Sequence, residues 1–444
     1  MHHCTHIAFA ALAAATLGCT AGQPDAAQST AAAPQLDSIA EPYVKLVLAV
    51  GNHDADYVDA YYGPPEWRTA AQADTVALPE IAARAAALIQ RLDSILPPPD
   101  EMLRLRHSYL KTQLGALATR VSMLEGKKLT FDEESRALYD AVAPTHPESY
   151  FQAIIDSLGT MLPGEGSVAE RLDRFRSQFV IPPAKLDTVF RTAIAECKAR
   201  TLQHMKLPPG EEFTLEYVKD KSWSGYNWYQ GNFKSLIQVN TDLPIYIERA
   251  VDLACHEGYP GHHVYNALLE QNLVKERGWL EYTVYPLFSP QSLIAEGSAN
   301  YGVEMAFPGV ERVEYEQRAL WPLAGLDPAK AEQYYRIQGV VGRLSYASNE
   351  AARKYLDGEI TAEQAADWHT RFALYSPERA RQRVRFVDQY RSYIINYNLG
   401  KDIVREYVER VGGDDPAARW TAFTSILTSP RLPRDLVAPT NQSR

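Results

Sequence analysis

Apolar residues recur at helical spacing along much of this chain. Leu103, Leu110, Leu114, Leu117, Val121 and Leu124 follow one another at intervals of 7, 4, 3, 4 and 3, which is one face of an α-helix. Leu172, Phe175 and Phe179 form a shorter stripe, and Leu186, Val189, Ala193 and Cys197 another. Thr130 with Glu133 and Ser167 with Glu170 have capping-box spacing, in which each side chain satisfies a backbone N–H the helix start leaves free. Pro97-Pro98-Pro99, Pro163-Gly164 and Pro182-Pro183 punctuate these segments.

The pattern changes between residues 212 and 243. Phe213 to Val218 and Leu236 to Asn240 alternate with period two and predict short strands. Between them lies an aromatic, glycine-punctuated stretch with Trp223, Tyr226, Trp228 and Tyr229, read as a loop lining a cleft. The Leu236–Asn240 strand is a candidate for pairing with an extended peptide. Pro244 is expected to open a helix that runs into a histidine-rich segment. The expected fold is mainly α, with a small β-sheet next to the helix that carries those histidines.

The chain is 46% hydrophobic and 23% charged, with a net charge of −10, so it reads as globular. An acidic chain without a Lys/Arg run is a poor partner for nucleic acid. Ile7 to Gly18 is an apolar stretch ending in Thr16-Leu17-Gly18-Cys19, which resembles a bacterial lipoprotein signal, although no Lys or Arg precedes it. That resemblance implies cleavage before Cys19 and a lipid on it, with the protein held at the cell envelope on the periplasmic face of the outer membrane. The lipid would be its one link to a membrane. The expected organisation is a signal over 1–18, a flexible linker rich in Ala, Gln, Ser and Thr over 19–37, and one body over 38–444. Of the four cysteines, Cys197 and Cys255 remain in that body and are expected as buried thiols.

Three of the eleven histidines fall within eight residues, in His256-Glu257-Gly258-Tyr259-Pro260-Gly261-His262-His263. Neutral imidazoles bind zinc, and an adjacent carboxylate can act as general base on zinc-bound water. A straight helix would separate His256 and His262 by about 9 Å in height and about 120° in direction. Pro260 breaks such a helix, and Gly258 and Gly261 tolerate unusual backbone angles, so the segment can bend a later histidine back beside His256. From these residues alone His262 and His263 are both open as second ligand. Glu296 follows Leu293-Ile294-Ala295, an apolar setting in which a charge needs a partner, and is the candidate third ligand. Asn300, one turn later, is placed to steady it.

His256-Glu257, Pro260-Gly261-His262-His263 and Glu296-Gly297 with Ala299 and Tyr301 resemble the motifs of the bacterial family catalogued as domain of unknown function 885. That family is distantly similar to helical zinc peptidases such as carboxypeptidase Taq and thimet oligopeptidase. The resemblance implies a two-lobed, zincin-like helical body holding one zinc ion, with His262 as second ligand and His263 left to bind substrate or orient a neighbour. Tyr397, in Tyr397-Asn398-Leu399-Gly400, matches the family's late Tyr-x-x-Gly segment and is expected to stabilise an oxyanion. The function expected is zinc-dependent hydrolysis of peptide bonds with Glu257 as base. The alternatives are a metal-dependent hydrolase of a non-peptide amide or ester, and a non-catalytic metal- or ligand-binding lipoprotein.

Overall fold

The computed structural model describes the backbone of residues 24–438 and the side chains from residue 32. The expected signal, Cys4 and Cys19, the residue expected to carry a lipid, lie outside the described residues. The fold is mainly α, 67% helical, with a small β part. Among the described residues no helix is long and apolar enough to cross a membrane.

The helical stripes fold as their spacing predicts. Glu101–Leu124 is one helix, and Leu110, Leu114, Leu117 and Val121 form its buried face. Both capping boxes are made, with Thr130 accepting from the Glu133 N–H and Ser167 from the Glu170 N–H. The linker reading needs correction. A helix, α1 (Pro24–Gly51), starts inside that stretch, and Ala32 and Leu36 on it are buried. Composition there suggested too little apolar surface to fold, but tertiary packing covers Ala32 and Leu36.

Among the described residues five short strands are present: β1 (Val58–Tyr61), β2 (Glu212–Val218), β3 (Gly225–Gly231), β4 (Lys234–Asn240) and β5 (Val284–Pro286). β1 pairs with β5, and the second sheet has the order β2-β4-β3. The aromatic stretch read as a loop is therefore largely strand β3. Its residues alternate, with Asn227 and Tyr229 buried and Trp228 exposed, and aromatic side chains suit such a half-buried strand. β4 is the central strand, parallel to β2 and antiparallel to β3. Its backbone groups are taken on both sides, so the expected pairing of Leu236–Asn240 with a peptide is excluded. β3 is the edge strand nearer the histidine segment.

The helix expected from Pro244 starts later, as α3 (Glu248–Leu253), after α2 (Leu186–Leu202). Residues just before it are held extended, since Ile181 donates to the Ile245 carbonyl and Ile247 to that of Phe179. Cys197 on α2 and Cys255 are joined in a disulfide with Cα atoms 5.6 Å apart, not free thiols as expected. Two cysteines with apolar surroundings gave no sign of pairing in the sequence. The fold brings them together and so ties α2 to the residue before His256.

Candidate metal centre

After α3 the helix widens to i→i+5 bonding over Ala254–Gly258, then breaks at Tyr259 to Gly261 before α4 (His262–Leu269). This is the interruption that Pro260 and Gly261 predicted. The reason glycine is needed differs from the expectation. Gly261 has φ −78°, ordinary for any residue, but a Cβ there would lie 1.8 Å from the His256 carbonyl oxygen. Gly258 likewise has no left-handed φ, and its missing side chain makes room for the Phe213 ring. Close approach, not positive φ, fixes Gly261, and the Phe213 ring crowds Gly258.

The bend sets the His256 and His262 rings with centroids 4.6 Å apart. α5 (Pro290–Ala306) brings Glu296 to them, with Oε2 3.3 Å from His256 Nε2 and 3.7 Å from His262 Nε2. Two donors on one zinc lie roughly 3.3 Å apart, so these separations fit a shared ion. Glu296 Oε2 is buried and accepts no hydrogen bond, which is costly unless a cation completes it. Glu257 also offers an oxygen, within 4.8 Å of both histidine nitrogens. The unpartnered buried oxygen favours Glu296 as ligand. Glu257, beside both histidines, is placed to work through a water.

The charges respond to this crowding. Burial alone would raise the Glu296 carboxyl, but the nearness of the His256 and His262 rings holds it well below the usual range. Burial would lower His262, and Glu296 reverses this and raises it to about 9. Burial raises Glu257, with the nearby histidines opposing. Asp59 on β1 is raised to about 6 by burial, and it feels the charges of His262, Glu296 and Glu257. The Tyr226 hydroxyl on β3 donates to it. Asp59 also lines a cavity of about 290 Å³ with Trp223, Tyr226 and Tyr390.

His263 does not face this point. It is fully buried, with Nδ1 2.9 Å from Ser235 Oγ and Nε2 2.9 Å from Glu211 Oε2. Both nitrogens are therefore occupied, and neither the ligand nor the substrate-binding alternative is open to it. Glu211 also accepts from the Tyr259 hydroxyl and pairs with Lys198, so His263 clamps the bend to β4 and α2. Burial would raise Glu211, but these partners lower it to about 2.

Two further helices complete the surroundings, α6 (Pro377–Tyr390) and α7 (Ile395–Gly412). α5 and α7 cross where Gly297 meets Gly400, and a Cβ on Gly297 would lie 2.4 Å from the Gly400 carbonyl oxygen. Two motif glycines thus serve one contact, which sets Glu296 beside the start of α7. There Tyr393 donates to Glu296 Oε1 at 2.8 Å and leaves Oε2 facing the histidines. The sequence reading missed Tyr393, which lies about one helical turn before Tyr397. Asn300 does not touch the Glu296 carboxylate. Its amide donates to the backbone carbonyls of Glu296 and Tyr397 and so pins α5 to α7. Tyr397 is half-buried, its ring 5.8 Å from that of Tyr393. β3 lies against Glu257, whose carbonyl accepts from Asn227, and a Cβ on Gly225 would meet the Glu257 carboxylate at 2.8 Å.

No protein-family model matches the chain, and no curated protein matches it. The family resemblance therefore rests on the motif residues. Among solved structures, a protein of Colwellia psychrerythraea described as a lipoprotein matches 82% of this chain at 15% identity, with a TM-score of 0.51. At that identity the likeness is one of fold, and the match spans 63% of that protein's length. A Shewanella oneidensis protein described as a lipoprotein of unknown function covers 81% of the chain and 76% of its own, at 13% identity and TM-score 0.41. Trypanosoma cruzi metallocarboxypeptidase 1 covers 91% of each chain at 11% identity and TM-score 0.42.

Proposed function

We propose that this protein is a zinc-dependent peptide hydrolase. The observation that carries the reading is the convergence of His256 Nε2, His262 Nε2 and the unpartnered Glu296 Oε2, with the Glu257 carboxylate beside them. These three side chains would hold the ion. Bound zinc supplies an open position for water, a lowered water pKa and a Lewis acid for the substrate carbonyl. Glu257 takes the proton from the attacking water and returns it to the leaving amine, and its burial favours proton affinity suited to that task. Tyr393 holds Glu296 in its ligating orientation. The Tyr397 hydroxyl is assigned to hydrogen-bond the developing oxyanion. β3, the edge strand beside Glu257, is the backbone along which an extended peptide would lie.

The test separates ligands from base. His256→Ala and Glu296→Ala should lose stoichiometric zinc, while Glu257→Gln keeps it and loses cleavage of a peptide library read by mass spectrometry. Full zinc occupancy in both ligand variants would refute the site, and an uncut library with zinc-loaded protein would refute the activity.

The envelope location belongs to the same proposal. A buried disulfide suits an oxidising compartment, and two of the structurally similar proteins are described as lipoproteins. Fatty-acid labelling should appear in the wild type and vanish in Cys19→Ser. Unlabelled wild-type protein would end the lipid reading.

A further inference from the structure

The metal centre has a cationic neighbour that the hydrolytic chemistry above does not use. Arg379 and Arg383 lie four residues apart near the start of α6, on one face of that helix. Among the described residues neither guanidinium has a carboxylate within 4 Å. The Arg383 Nε is buried with no hydrogen-bond partner. Like charges at this spacing repel, and a cation near a helix start opposes the helix dipole. The fold nevertheless adds more positive charge. Burial, and behind it Arg249, Arg176 and Arg383, hold the Arg379 guanidinium below its ordinary value, with Tyr375 opposing. Burial would raise the Tyr375 hydroxyl, yet Arg383 and Arg379 pull it below its ordinary value. Arg176 is paired with Glu248 at 3.1 Å, and Arg249 with Asp252 at 3.4 Å. Among the described residues Arg379 and Arg383 have no such pairing.

The cluster adjoins the metal centre from two directions. The Arg383 guanidinium lies 5.7 Å from the Tyr397 ring centroid, and Tyr397 packs on Tyr393, which holds Glu296. Arg249, on α3, precedes His256 by seven residues along the same run of helical chain. Its charge is among those acting on Glu257. One or two residues of extended peptide span roughly 3.5–7 Å, so a chain end just beyond a bond at the metal would come within reach of long arginine side chains. Arginine forks match a carboxylate with two parallel hydrogen bonds.

We propose that Arg379 and Arg383, with Arg249, form a receptor for a free α-carboxylate, so that the substrate is a peptide bound by its C-terminus and cut close to that end. This rests on the peptidase reading for what happens to the peptide, but not for its binding.

The experiment titrates zinc-loaded Glu257→Gln protein calorimetrically with one N-acetylated dipeptide, as free acid and as C-terminal amide. The acid should bind about tenfold more tightly or better. Adding Arg379→Gln and Arg383→Gln should reduce that preference below about threefold. Arg383→Lys, which keeps the charge but not the fork, should fall between them. Circular dichroism checks that the variants fold, and the acid–amide comparison in the unaltered pocket decides the matter if the double variant does not. Equal affinity for acid and amide, no binding of either, or a preference that survives the double substitution overturns the proposal. An acid preference together with a wild-type protein that cuts no peptide would refute the hydrolase and leave the receptor standing.

Discussion

Gly261→Ala tests whether the bend between the two histidines is what builds the metal centre. The added Cβ would sit 1.8 Å from the His256 carbonyl oxygen and 2.4 Å from that of Cys255, where real contacts stay beyond 3.0 Å. Both of those atoms are backbone, so no side chain can swing aside. The turn must open by at least about 1.2 Å to restore a tolerable approach. It is also closed by the Gly261 N–H bond to the Cys255 carbonyl, 2.9 Å long, which the same movement strains. His262 is the next residue and moves with it. Metal–ligand distances tolerate only about 0.2 Å, so His256 and His262 could not both keep their places. The expected loss in zinc affinity is at least about 10–100-fold, with no ligand altered. Competition against a chromophoric chelator measures it. Gly115→Ala, where a Cβ meets nothing within 4 Å, is the control and should bind zinc as the wild type does. If Gly261→Ala binds zinc within threefold of the wild type with an unchanged Tm, the bend is not set by this contact and the argument fails.

Two further outcomes follow from the surrounding fold. The Cys197–Cys255 bridge closes a loop with a sequence separation of 58, so Cys197→Ser with Cys255→Ser should cost about 4 kcal/mol in denaturant unfolding. A variant as stable as the oxidised wild type would show that the bridge adds nothing. His369 is 1% exposed, and burial first, then Arg383, lower it from 6.5 to about 3. The unfolded chain therefore binds a proton below pH 6.5 that the folded chain refuses, and stability falls as pH drops from 6.5 towards 3. That contribution approaches about 1.4 kcal/mol per pH unit, so wild type and His369→Gln should diverge in acid unfolding over this window. Parallel pH profiles would exclude it.

Much of the local structure was legible in the sequence because it depends on neighbours along the chain. Helix faces follow from the spacing of residues such as Leu110, Leu114 and Leu117, and the two capping boxes from residues three apart. The break between His256 and His262 follows from Pro260, which has no N–H to continue a helix. The residues that converge were named, since an imidazole pair with an adjacent carboxylate is unusual chemistry for mere packing. Tertiary structure alone decided which atoms are free. His262 and His263 are adjacent, yet Ser235 and Glu211 take both nitrogens of one and leave the other facing Glu296. Glu296 has two oxygens, and Tyr393, 97 residues away, takes one of them. The strand character of Gly225–Gly231, the pairing of Cys197 with Cys255 and the crossing at Gly297 and Gly400 likewise depend on partners distant in sequence. Sequence specifies what each side chain can bond to, and the packed fold decides which of those bonds are already made.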